Sequence, residues 1–495
     1  MRSRILVRRT NAIIAAALLA ACKNPTAPNI DAFSGPPPIA REMRGLWLTT
    51  VNNTDWPSRN SLTPDQQRAE LIDILDRAAA TGFNAIIFQV RPAADAVYSS
   101  SIEPWAAMLT GTQGVDPGYD PLALAITEAH ARGMELHAWI NPFRAGNSKD
   151  TAKLAPTHAF NTRRDLIRIY GSQVWFDPGE PEVQDRSIQV VSDIVRRYDI
   201  DAIHADDYFY PYQEHDAAGR LIDFPDSASY ARSGSSLSRD DWRRENINRF
   251  VERMNREVHQ IKPAIKVGLS PFGIWRPGNP PTVTGLDAFA TIYADSRKWL
   301  QQGWVDYLVP QLYWSIASPG QSYPALLDWW LSQDTMPRHV WPGLAAYRVA
   351  DGGPTAFGLD EIANQIKLTR ARPGGTGHVL FNTVSTLKRA SSGPVAVSLV
   401  PLYSQRAILP ASPWLDSIPP AAPAIGVSGR GVQIIPAAGE AARWWYVRSR
   451  GANGWKSQVV FATQQRLVLD VDPDWILVNA VDQAGNASAA AEWKR

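Results

Sequence analysis

The sequence predicts a (β/α)8 TIM barrel followed by a small all-β domain, and three observations carry that prediction. Eight short strand-like runs alternate with amphipathic helical patterns between Arg41 and about Asp416. No Gly-rich nucleotide loop follows the first run, which weighs against the competing doubly wound open sheet. Past "SIPPAAPAI" (417–425) the pattern changes to short alternating runs spaced by Gly, Pro, Asn and Asp, the mark of a small β domain.

In order, the runs are "GLWLTT" (45–50), "AIIFQV" (85–90), "ELHAWI" (135–140), "DAIHAD" (201–206), "KVGLSP" (266–271), "YLVPQLYW" (307–314), "VWPGLAAY" (340–347) and "HVLFNT" (378–383). Helical patterns between them include 64–82, 120–133, 181–198 and 243–261. The first two end at Gly82 and Gly133, placed as C-caps. The chain has 495 residues, 45% of them hydrophobic, enough for one large core and a second small one.

The ends add an address. Arg2, Arg4, Arg8 and Arg9 precede the apolar "AIIAAALLAA" (12–21), too short to span a bilayer as a stable anchor. "LAAC" (19–22) resembles a bacterial lipobox, which implies a signal peptide over 1–21 and lipidation of Cys22. Cys22 is the only cysteine, so the folded part is expected to have no disulfide and no Cys-based metal site. Lys23 follows it, and the chain is expected on the outer membrane facing the periplasm, held by that lipid alone. Residues 22–40 read as the lipidated Cys with a Pro-rich tether, 41–416 as the barrel and 420–495 as a β-sandwich, a spacer or a glycan-contact module with spacer as the default role. Removing residues 1–21 takes away four arginines and no acid, which turns the formal charge from +2 to −2. With no basic tract either, nucleic acid is not an expected partner.

In a barrel the outward face of each strand must be apolar, which fixes the phase of the inward one. Ile86, Phe88 and Val90 point out, so Gln89 and Arg91 point in. By the same rule His137, Trp139 and Asn141 point in on the third strand, His204 and Asp206 on the fourth, Ser270 on the fifth, and Gln311 and Tyr313 on the sixth. Asp207 has the opposite phase unless the strand has already ended. These polar residues gather at C-terminal strand ends, where barrel enzymes carry their chemistry.

The sequence shows no metal-ligand spacing, no G-x-S-x-G and no P-loop, and no cofactor is expected. Carboxylates, amides, an arginine and 19 Trp suit sugar recognition. Asp206 is the candidate general acid/base, with Asp207 beside it as a further catalytic carboxylate or a support. Arg91, Asp95, Asn141, Tyr208, Gln311, Tyr313 and Trp314 are candidate substrate-binding residues, and Asp55 and Glu103 are further candidate carboxylates. Asp177 is expected to cap or shape the turn before the helix at Pro181.

Six strings carry a resemblance: "REMRGLWLTTVNNTDWPS", "GYDPLALAITEAHARGMELHAWINPFR", "WFDPGEPEVQD", "YDIDAIHADDYFYPY", "GLSPFGIWR" and "WVDYLVPQLYW". Together they resemble the glycosyl-hydrolase-like 10 family, bacterial (β/α)8 proteins that are often lipoproteins, across nearly all of residues 41–390. The resemblance implies a glycoside hydrolase, with bacterial cell-wall glycan as substrate. A non-catalytic glycan-binding lipoprotein, and a hydrolase of another polysaccharide, are the alternatives. "DAIHADDY" is also similar to the D-x-x-D-x-D-x-E strand of family 18 chitinases, but Tyr208 stands at the position of the catalytic Glu and His204 at that of an Asp. That departure implies that Asp206 or Asp207 carries the acid's task, and that Tyr313 orients the substrate's N-acetyl group. "VNAVDQAGNAS" (478–488) resembles the last hairpin of fibronectin type III-like modules.

Overall fold

A computed structural model describes residues 35–349, 351–388 and 393–495. The expected signal peptide, Cys22 and most of the expected tether lie outside the described residues. Eight parallel strands form the central sheet: β1 (Met43–Leu48), β2 (Ala85–Arg91), β3 (Glu135–Ile140), β4 (Ala202–Ala205), β5 (Lys266–Leu269), β6 (Tyr307–Leu308), β7 (His339–Val340 and Gly343–Ala345) and β8 (Gly377–Phe381). The first half of β7 pairs with β6 and the second half with β8, which itself pairs with β1. The same run therefore stands at both ends of the strand order, and the sheet closes into a barrel. Each strand is followed by a helix: α1 (Pro64–Thr81), α2 (Pro121–Ala131), α3 (Pro181–Arg197), α4 (Arg239–Ile261), α5 (Ser296–Gln301), α6 (Tyr323–Gln333), α7 (Glu361–Arg370) and α8 (Gly393–Leu399).

Local chemistry sets the helix limits. Thr63 and Gln66 form a reciprocal capping box at the start of α1, with Pro64 in the first turn, and Gly82 ends it at φ 107°. Helix α4 begins four residues before the sequence pattern does, because Ser238 accepts from the Asp241 N–H and starts the helix upstream of its apolar stripe. Asp177 shapes its turn by accepting from the Gly179 N–H at 2.9 Å and the Ser229 hydroxyl at 2.6 Å, and Glu180 occupies the cap position of α3.

The strand phases separate two apolar layers. Leu46, Leu48, Ile86, Phe88, Val90, Leu136, Ala138, Ile140, Ile203 and Ala205 pack under the helices. Met43, Trp47, Ala85, Ile87, Trp139, Ala202, Tyr307, Trp341 and Val379 fill the barrel interior. That alternation follows from the period-2 geometry of strands with apolar packing on both faces.

Seven further strands, β9 (Ala424–Ser428), β10 (Gly431–Ile435), β11 (Trp444–Gly451), β12 (Gly454–Phe461), β13 (Arg466–Val468), β14 (Trp475–Val481) and β15 (Ala491–Lys494), form two antiparallel sheets. Val432, Ile434, Trp445, Val447, Ile476 and Val478 make their shared core. This small β domain is docked, not held at a distance: it covers the N-terminal end of the barrel. Asp201, just before β4, accepts from Arg443 at 2.7 Å, from Gln483 at 3.1 Å and from the Leu136 N–H at 2.8 Å, and lies 2.8 Å from His130 Nε2. His130 in turn stacks on Phe461 at 4.8 Å. Gly133, at φ 71°, admits the Val459 carbonyl, which would lie 2.4 Å from any Cβ there.

Burial alone would push the Asp201 carboxyl up, but Arg443 and His130 hold it well below the ordinary carboxylate range. A depressed carboxyl contributes stability that is fully present above the ordinary carboxylate range and is lost as pH falls from that range towards the depressed value. Asp201→Ala leaves Arg443 without its buried partner and is expected to cost about 3 kcal/mol in urea unfolding at neutral pH. The acid limb of the variant's stability profile is expected to be shallower than that of the parent.

Candidate active site

At the opposite, C-terminal end the strands open into a cleft of about 310 Å³. Its lining includes Trp47 from β1, Gln89 from β2, Trp139 from β3 and Phe381 from β8, with Ser270, Gln311 and Tyr313 just past β5 and β6. Asp206, Asp207, Tyr208 and Tyr212 enter from the segment after β4, and Arg144 from the segment after β3. Strand β4 ends at Ala205, so strand alternation no longer governs the next two residues. Both carboxylates face the cleft, and both are buried, 5% and 4% exposed.

Their partners differ. One oxygen of Asp206 accepts from the Asn141 amide and from Trp139 Nε1 at 3.3 Å, and the other accepts from the Tyr208 N–H at 3.0 Å. Asn141 is oriented for this by Gln89, whose Nε2 donates to Asn141 Oδ1 at 2.7 Å. Gln89 is oriented in turn by the Thr50 and Val51 N–H groups, at 3.0 and 2.9 Å from its oxygen. A fixed row of amides thus runs from the end of β1 to Asp206. Asp207 accepts from the Tyr212 hydroxyl and from Gln311 Nε2 at 3.0 Å. Burial and then the charge of Asp207 push the Asp206 carboxyl up to about 7. Burial raises Asp207 as well. Two like charges this close do not both ionise freely, so the pair holds a proton more readily than two separate carboxyls would.

Arg144 faces the pair from the cleft wall, with its guanidinium 4.7 Å over the Tyr208 ring and Nε donating to the Pro92 carbonyl at 3.0 Å. Tyr208 also stacks near-parallel to Trp175, with ring centroids 6.3 Å apart. Trp47, Trp139, Tyr313 and Phe381 give the cleft apolar faces beside these polar groups, a lining suited to a sugar ring.

Several sequence candidates lie elsewhere. Arg91 does not line the cleft. A register shift at the end of β2 turns it into a buried bidentate pair with Glu103, at 2.7 and 2.6 Å. Glu103 is thereby held down by Arg91 against the opposing effect of burial. Asp95 is buried beside them, pushed up to about 7 by that burial, and accepts from Gln113 at 3.0 Å. Asp55 accepts from the Thr49 N–H at 2.8 Å and the Val384 N–H at 2.7 Å, tying the β1 and β8 exits together. Trp314 packs edge-on to Phe272 at 5.7 Å and is not part of the lining. Residues the sequence reading passed over include Arg144, Trp47, Tyr212 and Phe381. Trp47 was available from the phase of Leu46 and Leu48, whereas Arg144 lies in a short antiparallel excursion (Arg144–Gly146 against Gln173–Phe176) that strand alternation does not reach. Among the described residues, no three His, Asp or Glu side chains are grouped to hold a metal ion.

Residues 42–355 match the model of the family described as glycosyl hydrolase-like 10. The chain belongs to that family. It is 37% identical to glycosyl hydrolase YngK of Bacillus subtilis, over 91% of this chain and 93% of that protein. It is 34% identical to glycosyl hydrolase DigH of Escherichia coli K12, over 76% of this chain and 93% of that protein. Among solved structures, the glycoside hydrolase domain of PgaB (BpsB) from Bordetella bronchiseptica aligns with 73% of this chain and 99% of its own length, at 14% identity and a TM-score of 0.47.

Carbon-13 carboxyl NMR of Asp206 tests the electrostatics independently of any substrate. Asp207→Asn removes the neighbouring charge and is expected to move the Asp206 titration down. Asn141→Ala removes a donor to the carboxylate and is expected to move it up. Shifts in the same direction for both would contradict the arrangement.

Proposed function

We propose that this protein is an envelope glycoside hydrolase that cleaves peptidoglycan glycan strands, with Asp206 as its general acid/base. The carrying observation is the Asp206 carboxyl itself, buried, raised to about 7 and set at the floor of an aromatic-walled cleft. A group protonated near neutrality is suited to hand a proton to a glycosidic oxygen as the C1–O bond breaks.

The group on the far side of the sugar comes from the substrate in this reading. Asp206 and Asp207 are the only carboxylates lining the cleft among the described residues, and they leave one strand end together. They are not placed as a pair on opposite faces of one bond. The carbonyl oxygen of a neighbouring N-acetyl group attacks C1 instead, and the ionised Asp206 then takes a proton from the water that opens the cyclic intermediate. Asp207, fixed by Tyr212 and Gln311, stabilises the charge that develops, and Tyr313 bounds the acetamido group. This route requires an N-acetylated sugar, which peptidoglycan supplies. The lipobox-like "LAAC" supports an envelope location, with lipid on Cys22 as the membrane attachment and the outer membrane facing the periplasm as the site.

Digestion of purified sacculi, intact and stripped of stem peptides, with product masses read out, tests the reading. Soluble glycan fragments are expected, with a loss of at least about 100-fold in Asp206→Asn. No products from either preparation would favour a glycan-binding protein without catalysis, and full activity in Asp206→Asn would remove the acid from Asp206.

A further inference from the structure

Six polar side chains inside the barrel are unused by the chemistry above, and together they form one unbroken column. Lys266 Nζ lies 3.1 Å from each oxygen of Glu135. Glu135 Oε2 lies 3.0 Å from His137 Nε2, and His137 Nδ1 lies 2.9 Å from the Tyr307 hydroxyl. The same hydroxyl lies 3.1 Å from His204 Nδ1, and His204 Nε2 lies 2.9 Å from Ser270 Oγ. The column starts at the barrel floor and ends at Ser270 on the cleft wall, and each of its members is at least nine-tenths buried. Gly268 makes room for it, since a Cβ there would stand 1.9 Å from the Tyr307 ring.

The donors and acceptors of this column have one consistent direction. A carboxylate only accepts, so His137 Nε2 carries a proton towards Glu135. Lys266 and Glu135 balance each other in charge, so a neutral His137 ring leaves no unpaired charge in the buried column. His137 as a neutral ring then presents a bare Nδ1, which accepts the Tyr307 hydroxyl proton. The Tyr307 oxygen is left to accept, so His204 donates to it from Nδ1 and keeps Nε2 bare. Burial holds His204 neutral, well below its ordinary range. The bare Nε2 takes the Ser270 proton.

We infer that Ser270 Oγ faces the cleft as a hydrogen-bond acceptor, its proton committed to His204, and selects a donor group on the bound sugar, a hydroxyl or an acetamido N–H. Ser270 is thus a specificity-determining residue, and His204, Tyr307 and His137 are positioning residues acting through it. Its neighbour reinforces the point: Gln311 donates to both the Ser270 carbonyl, at 2.9 Å, and Asp207. The amide is spent on those two bonds, and Ser270 Oγ adds an acceptor beside Asp207. The inference rests on the proposed glycan reading of the cleft.

Nitrogen-15 NMR of the labelled protein reads the column directly. The expected pattern is His204 protonated at Nδ1 and bare at Nε2, with His137 the reverse. A proton on His204 Nε2 would mean that Ser270 donates into the cleft and would overturn the inference. Tyr307→Phe is expected to leave a mixture of His204 tautomers. Calorimetry with a β-1,4-linked N-acetylglucosamine tetramer, in an Asp206→Asn background, reads selection without cleavage. Ser270→Ala is expected to weaken binding roughly tenfold. A penalty that vanishes with the N-methylacetamido tetramer assigns the N–H as the donor, and one that persists assigns a hydroxyl. If the parent binds and Ser270→Ala carries no penalty, the inference alone fails. If the tautomers are as assigned but the parent binds no oligosaccharide, the glycan reading fails and the selection falls with it.

Discussion

Two consecutive carboxyl groups are buried at one strand exit, and the rest of the barrel mouth is arranged around that electrostatic burden. Each carboxylate removed from water needs donors, a counter-charge or a proton. The barrel supplies all three. Trp139 and Asn141 come from the neighbouring strand and its exit, Gln311 from just past the sixth, and Tyr208 and Tyr212 from the chain just beyond the pair. Arg144 provides the cation, and a proton held by the pair resolves what remains. Closure of the sheet through the two halves of β7 matters for the same reason, because it brings β6 donors and β8 aromatics within reach of a β4 carboxylate.

The strand-borne part of this arrangement was legible in the sequence. The demand for an apolar outer face fixed the inward phase of Gln89, Trp139, Asn141, Asp206, Ser270 and Gln311, and all of these line or directly support the cleft. What lies beyond the strands was not legible, since loop residues obey no alternation. Asp55, Asp95 and Glu103 sit on the expected end of the barrel, yet each is turned into local backbone or ion-pair contacts. Arg91 shows the limit most clearly. Its phase is inward, but one irregularity of register at the end of β2 gives it to Glu103. Asp207 shows the converse: a residue of the wrong phase reaches the cleft because β4 has already ended.

The docking of the β domain was equally hidden, because it depends on surface matches between residues far apart in the chain. Arg443, Phe461 and Gln483 meet Asp201 and His130 at the barrel floor. Lys266, the first member of the interior column, also reaches the Gln483 carbonyl at 3.4 Å. The polar interior is thus bounded by the β domain below and the cleft above, which keeps its hydrogen bonds away from bulk water.

On the proposed reading, a protonated Asp206 does the acid work in this cleft. The pH dependence of kcat/KM on stripped glycan strands, followed between about pH 5 and pH 9, tests it most directly. Activity is expected to be sustained at acidic to neutral pH and to fall on the alkaline side with an apparent pKa of about 7, as Asp206 loses its proton. A rate unchanged across that range, with the protein still folded at its upper end, would contradict it.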